Sequence, residues 1–151
     1  MKFSKMMSER LNSLLESTYD AEKGYLNAMN RIDEPAELKM FFKRRAEQRG
    51  DFARDLRREI LSYGEMPEES GTLRGTTHRF WTNIRSLLSE NKQEAVLEEC
   101  LRAEKKVIEE YNEILKEQKT LPPSTVDLLT KHSDAIRNAI NKVHLFEEMV
   151  S

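Results

Sequence analysis

The four prolines of this chain fall at three places, Pro35, Pro67 and the pair Pro122–Pro123, and between them apolar residues return every three or four positions. That rhythm is the period of an α-helix with one buried face. Only 5 glycines accompany the 4 prolines in 151 residues, so sharp turns are scarce and the helices must be long. Helix A is predicted over roughly 5–32, with Leu11, Leu14, Leu15, Thr18, Tyr25, Met29 and Ile32 along its stripe. "DEPAEL" breaks it; Asp33 is placed to cap the next helix, and Pro35 suits a first turn. Helix B follows over 35–63, with Leu38, Phe42, Ala46, Ala53, Leu56, Ile60 and Tyr63 on one side, and ends at Gly64.

The stretch 64–91 opens with Gly, Pro and Ser, then turns amphipathic at Leu73, Phe80, Trp81, Ile84, Leu87 and Leu88. It reads as a loop followed by a short helix. Asn91 and Glu94 make a capping box for helix C, over 92–119, whose stripe includes Leu97, Cys100, Val107, Tyr111 and Ile114. "LPPS" ends it. Ser124 and Asp127 form a weaker cap for helix D, over 125–149, with Val126, Leu129, Ile136, Ile140, Val143 and Phe146.

Connection lengths decide the topology. The A–B and C–D joints are too short for anything but antiparallel hairpins. The B–C connection of about 28 residues can climb a helix about 40 Å long, so B and C are expected to run parallel. That is the one-crossover order of a ferritin-like four-helix bundle, an all-α fold. An up-down-up-down bundle with a protruding excursion is the alternative. The crossover helix is favoured because Phe80 and Trp81 need burial.

Charge narrows the function classes. The 25 basic and 27 acidic residues leave a net charge of −2, without the positive excess of a nucleic-acid binder. Lys43, Arg44, Arg54, Arg57 and Arg58 are interleaved with Glu47, Asp51, Asp55 and Glu59, the pattern of a solvated mixed-charge face. The single Cys100 excludes an intramolecular disulfide and sits on a core stripe. No apolar run is long enough to span a membrane. The opening "MKFSKMMSERLNSLLES" lacks the apolar segment of a signal peptide. A soluble cytoplasmic protein of one domain, 1–151, is the expectation, without nucleic-acid or membrane partners.

Three helices carry a charge on their own apolar stripe. Glu22 lies between Thr18 and Tyr25, Arg49 between Ala46 and Ala53, and Glu104 between Cys100 and Val107. Counting about 1.5 Å per residue from the turns puts all three in one layer. An internal salt bridge of Arg49 with Glu22 and Glu104 is expected, with Tyr25 and Tyr111 within hydrogen-bonding reach. The competing reading is a metal layer. Di-iron bundles supply two glutamates and two Glu-x-x-His pairs. Here Gly75, Leu129 and Asn141 stand three positions before His78, His132 and His144, so that pair never occurs. Arg49 cannot bind metal, because its guanidinium does not deprotonate. No cofactor is expected; the alternative is iron or manganese held by Glu22, Glu104 and His132.

The segments "STYDAEKGYLNAM", "RAEQRGDFARDL", "GTLRGTTHRFWTNIRSLL" and "LEECLRAEKKVIEEY" together resemble an uncharacterised bacterial family of ferritin-like four-helix-bundle proteins, classed as a domain of unknown function. The resemblance covers roughly residues 9–148. Its most distinctive part is the crossover, with Gly75, His78, Arg79 and Trp81; Asp20, Gly24 and Tyr25 add to it, as do Glu99, Glu104 and Tyr111. It implies the ferritin-like fold, a bacterial source and a cytosolic setting, and brings no reaction or binding residues. Compared with rubrerythrin-type di-iron proteins, Glu104 and Glu22 match carboxylate positions, while the Glu-x-x-His halves on helices B and D are missing. The expected function is therefore non-catalytic, structural or stress-associated, with a protein partner or self-association. The alternative is a di-iron oxidase or iron-handling protein with a degenerate site.

Overall fold

A computed structural model describes residues 2–71 and 76–150, and only the backbone of Lys2, Thr76, Thr77 and Val150. Gly75 and Leu73 lie outside the described residues. The chain is all-α, with α1 (Lys2–Arg31), α2 (Ala36–Ser62), α3 (Thr76–Ser89), α4 (Gln93–Leu115) and α5 (Pro123–Val150), and no strand among the described residues.

The helix ends use other chemistry than the caps read from the sequence. Asn91 does not cap α4; the N-cap there is Lys92, which makes no side-chain cap bond. Asn91 instead takes φ 58 and closes α3. Its N–H donates to the Leu88 carbonyl at 3.1 Å, while that of Lys92 donates to Leu87 at 3.1 Å. This is the paired bond pattern of a Schellman stop, in which Asn tolerates the left-handed position. Gly64, at φ 80, ends α2 in the same way. Asp33 pairs with Lys39 at 3.5 Å rather than capping α2. Ser124 turns away from α5 to donate to Glu59 Oε2 at 3.0 Å, so α5 begins on Pro123, whose missing N–H costs nothing there. Past Leu115, α4 tightens into successive three-residue turns that swing Leu121 inward to 6% exposure.

Pairwise contacts fix the helix directions. Arg10 of α1 pairs with Glu117 just past the end of α4, Ser17 donates to Glu110 of α4 at 3.3 Å, and Tyr25 donates to Glu104 at 2.9 Å, so the two helices run antiparallel. At the start of α5, Thr125 meets Tyr63 at the end of α2; at its finish, Phe146 meets Phe41 near the start of α2. The chain after α2 climbs along α1. Asn12 holds the Met66 carbonyl and the Glu68 N–H, and Tyr19 donates to the Glu68 carbonyl at 3.0 Å. Higher up, Trp81 of α3 packs on Gly24. The climb ends where Gln93 Nε2 donates to the Glu34 carbonyl at 2.6 Å, beside the α1–α2 turn. Consequently α2 and α4 start at the same end and run in the same direction. Since α2 contacts α1 and α5, and α4 contacts α1, α3 and α5, they face one another across the middle.

Among the described residues the core divides into two apolar clusters. One, toward the α1–α2 turn, gathers Tyr25, Phe41, Phe42, Trp81, Leu97 and Val143; the other gathers Leu11, Leu15, Phe52, Leu56, Ile114 and Ile136. Met7 belongs to the second, while Met6 faces solvent at 50% exposure. Phe80 and Trp81 sit against the first cluster, as their size demands.

Gly24 allows α3 to lie down. A Cβ there would fall 2.1 Å from Trp81 Cε3, inside the indole. Gly24→Ala is expected to destabilise the protein by about 1–3 kcal/mol despite alanine's better helix propensity, because the clash must displace the ring. Urea denaturation followed by Trp81 fluorescence measures it; a stabilised variant would show that α3 does not need this contact.

Candidate functional site

Arg49 sits at the seam between the two clusters, at 1% exposure, and faces Glu104 at 0%. Position 49 lies on the buried stripe of α2 between Ala46 and Ala53, and position 104 on that of α4 between Cys100 and Val107. Helical phase therefore leaves both side chains no route to water. The guanidinium meets the carboxylate fork to fork: Nη1 donates to Oε1 at 2.9 Å, and Nη2 donates to Oε2. Tyr25 Oη donates to the same Oε2 at 2.9 Å. The cation also lies 5.6 Å from the Tyr25 ring centre and 5.7 Å from that of Phe52. Burial opposes the charge on Arg49, yet the Glu104 charge and hydrogen bonds more than offset it, and the guanidinium is held more firmly protonated than in water.

Glu22 does not join this pair. Ala21, at 1% exposure, takes the inward position of α1, and Glu22 is only partly buried. Its Oε2 lies 2.8 Å from where a Cβ on Gly50 would be, so it reaches α2 beside Arg49 and outside the core. The spacing from Thr18 fits either 21 or 22 equally, since both i+3 and i+4 face the same side. The apolar residue won the interior.

Tyr111 belongs to a second arrangement a turn or two along. Its Oη lies 3.1 Å from Nδ1 of His132, and Nε2 of that ring lies 3.0 Å from Asp55 Oδ2. A carboxylate only accepts, so Nε2 carries the proton, Nδ1 is the acceptor, and Tyr111 donates. His132 is at 0% exposure and stacks on Phe52 at 3.8 Å between ring centres. Phe52 thus separates the Arg49 guanidinium from the His132 imidazole. Burial, partly offset by Asp55, lowers the imidazole from 6.5 to about 4, and it is neutral at pH 7. Asp55, read from the sequence as part of a solvated charge face, is turned to this ring instead. Its neighbour Arg54 does pair with Asp51 on the surface.

The crossover residues lie apart from both arrangements. His78 borders a cleft between α1 and α3 together with Asp20, Gly24 and Trp81, and Arg79 is exposed. Burial, and then the Glu16 charge, raise Asp20 to about 6. His144 pairs on the surface with Glu147 at 3.1 Å.

Of the candidate metal ligands, Glu104 and His132 are already engaged by protein groups. Both oxygens of Glu104 are taken by Arg49, Oε2 by Tyr25 as well, and both nitrogens of His132 are engaged. Glu22, Glu104 and His132 do not converge, and no group of three His, Cys, Asp or Glu side chains does so among the described residues. Burial pushes Tyr25, Tyr111 and the Cys100 thiol upward, away from service as a base or nucleophile near neutral pH.

Residues 6–117 match the family described as Domain of unknown function (DUF2383). The chain belongs to this family. The DUF2383 span contains Tyr25, Arg49, Asp55, Glu104 and Tyr111, while α5 and its His132 lie beyond it. No curated protein matches the chain. No helix among the described residues is long and apolar enough to cross a membrane.

Proposed function

We propose that this DUF2383 chain is a ferritin-like four-helix bundle, α1, α2, α4 and α5, whose central layer has exchanged metal ligation for an ion pair. It is a non-catalytic structural protein of the stress-associated kind, a single cytoplasmic domain that works through a protein partner on its outer surface. The parallel run of α2 and α4, joined by a long crossover carrying α3, supports the ferritin-like order. The observation that carries the non-catalytic reading is the fork of Arg49 on Glu104, a fixed cation in the layer where carboxylates would bridge iron. A cation there repels a second cation, and its removal would strand a buried carboxylate.

The test is direct. Fe(II) is added anaerobically, oxygen is admitted, and bound metal and oxo-bridge absorption are measured, with Mn(II) as a second metal. No stoichiometric metal and no such absorption are expected. One or two bound metal ions per chain, lost in Glu104→Gln, would replace this reading with an iron-handling one.

A further inference from the structure

Near the α1–α2 turn, antiparallel α2 and α5 leave between them a groove of about 670 Å³. Its floor is Phe41 and Phe146, whose rings meet at 5.1 Å. Met40, Leu145 and Met149 form its walls at 45%, 62% and 53% exposure. Single exposed apolar side chains are ordinary on a soluble protein; three that converge over an aromatic floor are not. The rim is basic. Arg44, Arg45 and Lys142 surround the groove, against the one acid Glu37. None of these three cations is in an ion pair among the described residues. Elsewhere on the surface Arg54, Arg102, Lys106, Lys116 and Arg137 each pair with an acid three positions away. The Arg45 guanidinium lies over Phe41 at 5.4 Å, and its Nε is shielded from solvent without an acceptor.

We propose that this groove docks an acidic amphipathic helix of a partner protein. It rests on the reading that the chain works through its outer surface, and names the surface and the chemistry of what binds there. Shape favours a helix over a membrane. A bilayer is entered by projecting apolar side chains, whereas this apolar surface is concave and receives a ridge. The walls run from Ala36 to Arg45 on α2 and from Lys142 to Met149 on α5. At about 1.5 Å per residue, they accommodate two to three helical turns, with anchors at i, i+3 or i+4, and i+7. Charge selects the flanks. A second copy using the same face would set cation against cation, while Asp and Glu beside the anchors would meet Arg44, Arg45 and Lys142. Met40 and Met149 are flexible enough to fit more than one anchor shape.

The experiment selects a phage-displayed helical peptide library on the full chain, with counter-selection on Leu145→Glu. Enriched peptides are expected to carry apolar residues at helical spacing with acidic flanks. Their affinity should fall about tenfold or more on Leu145→Glu or Met40→Glu. It should fall several-fold on Arg44→Glu or Lys142→Glu and weaken as salt rises. All four positions face the groove, and unchanged melting curves confirm that the variants fold. Peptides with basic or neutral flanks, peptides indifferent to Leu145→Glu, or no enrichment above background would each overturn the proposal. So would a concentration-dependent dimer, or binding to phosphatidylglycerol vesicles, that Leu145→Glu abolishes. Metal uptake would sink the non-catalytic reading and leave the peptide result standing; failed selection would sink the groove and leave the metal result standing.

Discussion

Arg49→Met and Glu104→Leu, made singly, are each expected to destabilise the protein by about 3–5 kcal/mol. Each leaves an opposite charge at 0–1% exposure with no counter-ion. For a chain of this size that corresponds to a melting temperature roughly 10 °C lower. The double variant should regain most of the loss, because two apolar side chains of similar length need no desolvation. Tyr25 would then hold a buried hydroxyl without its acceptor, since its bond goes to Glu104 Oε2. The appropriate endpoint is therefore the triple variant with Tyr25→Phe, which removes that orphan as well. Equilibrium urea denaturation of the five proteins completes the comparison. Singles within about 1 kcal/mol of wild type would mean that water reaches the pair, and the buried layer would lose its energetic meaning. If the triple matches wild type in stability yet melts less cooperatively, the pair acts in register rather than in net stability.

Most of this layer was legible because a helix stripe leaves a measurable gap. On α2 the apolar residues Ala46 and Ala53 are two turns apart, and an inward position must fall between them; Arg49 fills it. On α4, Cys100 and Val107 leave the same gap for Glu104. On α1, Thr18 and Tyr25 leave one too, but both 21 and 22 satisfy it, and of the two only Glu22 carries a charge to match Arg49. Phase alone could not separate them; preferring the apolar Ala21 for an interior position would have. The same gap stands on α5 between Leu129 and Ile136, and it holds His132 and Ser133, both buried. His132 is legible by this rule; the sequence offers it only as an alternative metal ligand beside Glu22 and Glu104, since no Glu-x-x-His pair marks it as one. Asp55 gave no such signal. It looks like one acid in an alternating surface run, and only the docking of α5 turns it toward His132. The helix ends were less readable, because Asn91 serves equally as a cap for the helix after it or a stop for the one before. Stops and caps draw on the same small set of residues. The basic-rimmed groove was hidden for a related reason: Phe41 and Phe42 are adjacent, and only the position of Phe146 shows which ring faces α5.

Acid should expose the second polar arrangement. Unfolded, His132 takes up a proton near 6.5; folded, its site holds the ring neutral down to about 4. Between those values the unfolded chain binds the extra proton, so stability rises with pH across the window. The contribution is fully present above about pH 6.5 and is lost as pH falls toward 4, by on the order of 3 kcal/mol in all. Asp20 runs the other way. Its folded value of about 6 lies above 3.8, so its contribution is lost as pH rises, and partial exposure makes it smaller. The comparison that isolates the imidazole is wild type against His132→Gln. Glutamine can still donate to Asp55 and accept from Tyr111, but it does not titrate. Urea midpoints measured from pH 4 to 7.5 should converge for the two proteins at the acid end, separate as pH rises to about 6.5, and stay apart above it, with wild type the more stable. Asp20 is common to both and drops out of the difference. Parallel curves would show that the ring takes its proton inside the folded protein, beside Asp55. The Tyr111–His132–Asp55 chain would then hold a charged pair between α2 and α5 rather than a neutral relay packed on Phe52.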